Sequence, residues 1–371
     1  MHKIILYKLS FLTLSIIGII MIYSASMIWA EYLTGNKAYY LIRQLIFFIL
    51  SVIAYFIFRN FSYLRLKKIA NHLFIIATIL LILVLIPGIG KAKNGARSWI
   101  GFGDFSFQPS EIMKIAFILF TAKLCANNEG IFKNIKPLVC YLALVLFIFF
   151  LIMLEPDFGS GFILISTILV MMYKDLIPVK PLIIGFIVAT LAFAGLIIIA
   201  PYRLARITSF LNPWNDPLGS GFQIIQSLFA ISPAGLFGYG LFNSKQKFYY
   251  LPEPQTDFIF PICVEELGFI GGMFILLLFF NLVYTGYKLC LNLKEPFAKN
   301  LVFGFTTILF IQVFINIGVV IGLLPVTGVT LPFLSYGGSS LIITFSMMGI
   351  ISNIMHTAII DVNFYKKNAK A

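Results

Sequence analysis

The sequence predicts an all-α, polytopic integral membrane protein with about ten transmembrane helices and a large extracytoplasmic loop between helices seven and eight. Three observations carry that prediction. Of the 371 residues, 60% are hydrophobic, and the mean hydropathy is +0.99. Only 11% are charged, where an average soluble domain carries about 25%. The apolar residues run unbroken, as in FIIATILLILVLI at Phe74–Ile86. A bilayer core takes about 20 apolar residues per helix, and a membrane barrel instead shows alternating segments of about 10. Such a composition excludes a soluble enzyme and a disordered tail. It does not support a nucleic-acid binder either, because the basic residues are spread thinly between apolar runs.

Taken in order, the apolar runs place helices near 9–29, 41–58, 69–87, 109–125, 138–154, 158–173, 181–200, 258–287, 300–323 and 339–358. The first resembles a signal peptide, with Lys3 and Lys8 before an apolar stretch and Ser24-Ala25-Ser26 after it. It is long enough to span, and more spans follow, so it reads as a signal-anchor helix. The two halves of the chain show no repeat, and residues 1–371 read as a single membrane domain with a short tail at 359–371. The long loops, 88–108 and 201–257, fall on one side, and long loops are often functional. Within the second, Gly221–Phe229 reads as a short interfacial helix.

Charge sets the orientation. The formal charge of +13 is not uniform: one side carries 17 Lys and Arg with 4 acids, the other 10 basic residues with 10 acids. The positive-inside rule puts both termini and the whole excess in the cytoplasm, beside anionic lipid. The side with the long loops, net neutral, faces outward.

Several chemistries lack their residues. Cys125, Cys140, Cys263 and Cys290 fall in or at the ends of helices, without a CxxC or a disulfide framework. The three histidines, His2, His72 and His356, are scattered, so a zinc site is not indicated, and no metal ligand set is assigned. There is no Walker A motif. GFG at 101–103 and GYG at 238–240 read as turns.

The acids are more informative, because an ionisable group inside a spanning helix costs about 2.5–3.5 kcal/mol and is usually paired or lines a cavity. Glu111 and Lys114 share a helix face, either neutralising each other or with Lys114 presenting a cation to an anionic substrate. Asp157, beyond Pro156 from Glu155, either caps a turn or holds a cation in a cavity. Asp257 stands where the long loop enters helix eight. It could cap that helix, although Thr256 is better placed to do so. Desolvation among its aromatic and apolar neighbours would raise its pKa toward the general-base range. At 100° per residue Glu265 lies about 80° from Asp257 and Glu266 about 180° away, which makes Glu265 the expected cavity neighbour. Arg203, Arg206, Lys245 and Lys247 form a basic group suited to a phosphorylated lipid, or to anchoring at headgroups.

These residues fall in motifs that resemble the SEDS family (shape, elongation, division and sporulation). The motifs are NGARSWI (Asn94–Ile100), FQPSE (Phe107–Glu111), EPDFGSG (Glu155–Gly161) and NPWNDPLGSGFQ (Asn212–Gln223). YLPEPQTDFIF (Tyr250–Phe260), EELGFIGG (Glu265–Gly272) and LLPVTGVTLPFLSYGGSS (Leu323–Ser340) follow in order. The resemblance runs from about residue 10 to 358 and is nearer to the FtsW branch than to RodA. It implies a peptidoglycan glycosyltransferase that joins lipid II units on the outer face of the bacterial cytoplasmic membrane, at the division septum. It further implies Asp257 as the catalytic base, Trp99 as the tryptophan of the first outer loop, and Glu111 with Lys114 as a cavity pair. The implied partners are lipid II, a class B penicillin-binding transpeptidase and other division proteins. A lipid II flippase or a RodA-type elongation polymerase is the alternative. Asp257 would take a proton from the acceptor 4-hydroxyl, with Arg203, Arg206 and Lys114 stabilising the departing pyrophosphate. A divalent cation such as Mg or Mn could assist, though no cofactor is demanded by the residues. The loop hydroxyls and amides at Pro332, Ser335 and Gly337 are candidates to hold sugar or peptide. Gln255 stands where the family usually has His, Phe242 where it usually has Gly, and Ser232-Pro233-Ala234 and Pro261 are further departures.

Overall fold

The computed structural model describes residues 2–93, 96–102, 105–174, 210–248 and 250–368. Its helices are α1 (His2–Thr34), α2 (Tyr39–Asn60), α3 (Tyr63–Leu85), α4 (Pro109–Asn127), α5 (Ile135–Leu154) and α6 (Phe158–Lys174). After the stretch that is not described come α7 (Phe222–Ile231), α8 (Ile259–Asn292), α9 (Pro296–Val320) and α10 (Gly338–Asn368). Among the described residues, α1, α2, α3, α5, α8, α9 and α10 are long and apolar enough to cross a membrane. α4 carries Glu111, Lys114 and Lys123 in its 19 residues, and α6 has only 17 residues. The expected helix at 181–200 and the arginines Arg203 and Arg206 lie outside the described residues.

Burial separates the core of the bundle from its rim. Within their apolar windows α9 is 72% and α10 78% buried, against 17% for α2, so α9 and α10 run through the middle. α2 turns Ile42, Ile46, Ile49, Ile53, Phe56 and Ile57 outward, the face expected of a helix whose solvent is hydrocarbon. α10 nevertheless packs along the inner side of α2, where Asn353 donates to the Arg59 carbonyl and Tyr55 to Ser352. α9 begins at Pro296 rather than at 300, because Glu295 caps it through the Ala298 amide and proline suits its first turn.

The Ser24-Ala25-Ser26 segment is interior to α1 and buried. The loop at 88–108 holds a three-stranded antiparallel sheet: β1 (Gly90–Lys93), β2 (Ala96–Phe102) and β3 (Phe105–Phe107). Its register pairs Lys91 with Trp99 and Ile100 with Phe107. Residues 94–95 and 103–104 lie outside the described residues; in the sequence, Asn94-Gly95 is the dipeptide that signals a two-residue hairpin loop.

α8 is not continuous. At Gly268 the backbone takes φ 72° and ψ −174°, and a Cβ there would run into the Leu236 carbonyl and the Gly238 amide. The groups freed by the break are taken up by the loop at 235–240. The amides of Tyr239 and Gly240 donate to the carbonyls of Glu265 and Glu266, each at 2.9 Å, while Phe269 and Ile270 donate to Gly235 and Leu236. A broken helix inside an apolar bundle is tolerated when its backbone is satisfied in this way.

Candidate active site

A cavity of about 500 Å³ opens at the end of the bundle that carries the sheet. Six pieces of chain build its wall: β2 with Trp99, the start of α4 with Gln108 and Glu111, the α5–α6 turn with Asp157, and α7 with Gln223. The chain before α8 adds Glu253, Thr256 and Asp257, and the α9–α10 connection with the first turn of α10 adds Thr330, Tyr336, Gly337, Ser339 and Ser340. Trp99, Glu111, Asp157, Asp257 and Gly337, far apart in sequence, are thus brought together.

Asp257 is half-buried, two residues before α8. Thr256 does not cap that helix; its hydroxyl donates to Asp257 Oδ1 at 2.9 Å, and the helix starts after Phe258 with no side-chain cap. The Asp257 backbone is fixed by Asn316 of α9, whose amide donates to the Asp257 carbonyl and to the Val329 carbonyl, each at 2.7 Å. One helical turn earlier, Gln312 donates to the Thr330 carbonyl at 3.0 Å. The Tyr336 amide donates to the Gln255 carbonyl at 2.8 Å. These bonds tie the chain carrying Asp257 to the chain carrying Thr330 and Tyr336. Asn316 and Gln312 were not among the expected site residues. Their signal in the sequence is a pair of amides four apart inside an apolar helix.

Asp157 both lines the cavity and is structurally committed. Its Oδ2 accepts from Gln108 at 2.6 Å and Ser110 at 3.1 Å, and its Oδ1 accepts from the Ser160 amide in the first turn of α6. Beside it Glu155 is buried, with both carboxylate oxygens unpartnered among the described residues. Burial pushes the Glu155 carboxyl up to about 9, and the charge of Asp157 adds to the rise.

Lys114 is buried behind Glu111, its ammonium 2.6 Å from Glu111 Oε1. Of the two readings, the geometry is that of the neutralising pair, and Lys114 does not line the cavity. Four other expected site residues also lie off the wall. Glu265 accepts from the Ser244 hydroxyl and from the amides of Lys245 (2.8 Å) and Gln246 (3.4 Å). Those donors fold back from 20 residues away, so its carboxylate turns into the loop rather than into the cavity. Lys247 is paired with Glu266 at 3.2 Å, both side chains fully buried. Glu266 also accepts from the Ser24 hydroxyl on α1 and from the amides of Phe242 and Ser244. This cluster rivets α1, the loop and the first segment of α8 together. Pro332 is buried, and the Ser335 hydroxyl accepts from the Leu331 amide at 2.7 Å, which closes the turn. The turn is anchored by Phe333, which packs against Phe11 and Phe345, and Gly18 on α1 leaves room for its carbonyl.

Phe242 takes φ 66°, which explains why glycine is usual there, and its ring packs against Tyr23. Cys125, Cys140, Cys263 and Cys290 are all free thiols. Among the described residues no group of three or more His, Cys, Asp or Glu is placed to hold a metal ion.

A second, apolar groove of about 280 Å³ borders the cavity and shares Gln108 and Ser339 with it. It is walled by Phe47 and Leu50 of α2, Ile112 of α4, and Ile342 and Ile343 of α10. A polar cavity bordered by an apolar groove suits an amphiphile with a polar head and a hydrocarbon tail.

The fold defines a polytopic membrane protein with a cavity at one end of its helix bundle. The chain belongs to the FtsW/RodA/SpoVE family of cell cycle proteins, whose family model matches residues 4–359. It is 49% identical over 347 residues to stage V sporulation protein E of Bacillus subtilis, spanning 92% of this chain and 94% of that one. It is 40% identical over 344 residues to a probable peptidoglycan glycosyltransferase FtsW of Geobacter metallireducens, spanning 92% and 91%. Among solved structures it resembles a chain of a peptidoglycan synthase complex that coordinates polymerization and crosslinking. The TM-score there is 0.77, with 29% identity, 95% of this chain and 97% of that one. The rod shape determining protein RodA of Thermus thermophilus matches with TM-score 0.68, 27% identity and coverage of 94% and 95%.

Proposed function

We propose that this chain is a peptidoglycan glycosyltransferase that polymerises lipid II on the outer face of the cytoplasmic membrane, with Asp257 as general base. The observation that carries the reading is the placement of Asp257 on a polar cavity that is bordered by an apolar groove. Asp257 takes the proton of the acceptor sugar 4-hydroxyl as that oxygen attacks the donor anomeric carbon. The lipid pyrophosphate leaves from the opposite face, so an α-linked donor becomes a β-linked product. The bonds of Asn316, Gln312 and Gln255 hold the base still, which is where orientation contributes to rate. Trp99, Glu111, Asp157 and Gly337 line the space for sugar and peptide. Arg203 and Arg206 remain candidates for the departing pyrophosphate. Glu265, Lys247, Pro332 and Ser335 support the loops around the substrate.

Both termini are cytoplasmic in this reading, and residues 1–371 act as one membrane domain. Identities of 49% and 40% to the sporulation and FtsW relatives, against 27% to RodA, support a septal role over elongation. The likeness to a synthase complex supports a class B penicillin-binding transpeptidase as partner, within a larger division assembly.

The test uses purified Asp257→Asn protein with its transpeptidase partner and lipid II. Polymer falls to background while the variant stays folded. Normal polymer from a folded variant refutes the assignment. Vesicles holding lipid II in both leaflets separate polymerisation from flipping, since a flippase exposes inner lipid II without forming polymer.

A further inference from the structure

The groups on the cavity wall divide by what already holds them. Glu111 is paired with Lys114, and Asp157 accepts from Gln108, Ser110 and Ser160. The Thr256 hydroxyl donates to Asp257, and the Ser339 hydroxyl accepts from the Gln108 amide. Gln223 differs from these. It lines the cavity, half-buried, and its carboxamide makes no hydrogen bond to any described residue.

The backbone under Gln223 is held firmly. Gln223 lies in the first turn of α7, whose Ile224 and Ile225 are buried. The turn before α7 is closed by Asp216, whose Oδ2 accepts from the Ser220 amide at 2.7 Å and the Ser220 hydroxyl at 3.0 Å. A Cβ at Gly221 would run into the Pro213 carbonyl, so the chain enters the helix this tightly through a glycine. Gln223 and Ser227 are spaced i and i+4 and share one face of α7. The Ser227 hydroxyl donates at 2.6 Å to the carbonyl of Val320, the last residue of α9. Gln223 therefore faces the connection that follows α9, which brings Thr327, Gly328 and Thr330 to the same wall. A side chain carried on a clamped helix costs little further ordering when a ligand uses it.

A carboxamide offers donors and an acceptor in one plane and carries no charge. Its closest complement on a ligand is another amide. In the proposed reaction the hydroxyl that Asp257 deprotonates belongs to an N-acetylated sugar, so an acetamido group enters the cavity on the same ring. Its N–H and C=O leave water there and need partners.

We propose that Gln223 binds the acetamido group of the acceptor sugar and so selects an N-acetylated substrate. This rests on the glycosyltransferase reading for its substrate class, and it assigns to α7 a specificity residue.

The experiment uses the full chain in nanodiscs. Binding of lipid II, and of an analogue in which hydrogen replaces the acetamido group of the terminal sugar, is measured by native mass spectrometry. Polymer formation from lipid II is followed in parallel. Gln223→Met, of similar length but without donor or acceptor, weakens lipid II about tenfold, the effect of leaving one buried polar group unpaired. It raises the KM in proportion and leaves the analogue's affinity unchanged. Gln223→Asn, which keeps the carboxamide one methylene short, falls between wild type and Gln223→Met. Unchanged lipid II affinity in Gln223→Met overturns the proposal, as does equal weakening of both lipids, which would mark a damaged wall. Equal affinity of the wild-type chain for the two lipids also overturns it, because the acetamido group would then contribute nothing. If the wild-type chain discriminates between the lipids through Gln223 yet makes no polymer, the glycosyltransferase reading fails and the acetamido site stands.

Discussion

Replacing Lys247 by Met leaves the Glu266 carboxylate buried without its counter-ion. Both side chains are fully buried in the present pair, 3.2 Å apart. The carboxylate keeps three neutral donors, the Ser24 hydroxyl and the amides of Phe242 and Ser244. Those donors reduce the penalty but do not supply a compensating charge. Breaking a buried pair by removing one partner costs about 3–5 kcal/mol, a large part of the roughly 5–15 kcal/mol that holds a folded domain together. At roughly 2 °C per kcal/mol for a chain of this size, the melting temperature in detergent should fall by about 6–10 °C. Lys247→Met combined with Glu266→Gln removes the stranded charge and should recover most of the loss, giving a coupling of about 2 kcal/mol. Because the rivet joins α1, the loop and the segment of α8 that follows Asp257, polymerisation by the single variant should fall as well. A melting temperature lowered by less than about 2 °C is what an exposed pair would give, and it would refute the reasoning.

Glu155→Gln should stabilise the protein increasingly as pH rises. The folded carboxyl is raised to about 9, so its contribution is full below the ordinary carboxylate range and is lost as pH climbs toward 9. Melting curves from pH 5 to 9 check this, and a constant difference between variant and wild type would contradict it. Asn316→Ala removes the bonds to the Asp257 and Val329 carbonyls; kcat for lipid II should drop about tenfold with little change in KM, as expected for a base misplaced by a fraction of an ångström. Gly268→Ala places a Cβ against the Leu236 carbonyl at φ 72°. It should lower yield and melting temperature more than Gly271→Ala, where the nearest atoms belong to the Leu267 side chain. Protease cutting within 235–247 should rise with it.

The transmembrane character and most helix positions were legible because each span needs a long apolar run, and length and composition alone express that requirement. The family was legible for a different reason: motifs such as EPDFGSG and YLPEPQTDFIF are local strings that survive without a fold. Even single departures were informative, since the Phe242 backbone proved to be in the region where glycine is favoured. Errors arose where a local rule met a distant partner. The 100° rule placed Glu265 beside Asp257, but donors of Ser244, Lys245 and Gln246 fold back and claim it. Thr256 was placed as a cap on the basis of its neighbours in sequence, and its hydroxyl instead meets Asp257. The sheet at 90–107 was missed because its strands are short, although Asn94-Gly95 signalled a turn.

Composition, hydropathy and motif order therefore suffice for a membrane-embedded all-α chain of this family. They reflect transfer to hydrocarbon and local backbone chemistry, both of which act residue by residue. Which polar groups share one cavity was settled by packing, because Trp99, Glu111, Asp157, Asp257 and Gly337 meet only when five separate pieces of chain converge. The same holds for the partner of each buried lysine: Lys114 faces Glu111 and Lys247 faces Glu266. Burial favours pairing of a charged group, and for Lys247 the partner is chosen by geometry between segments that the linear order does not relate.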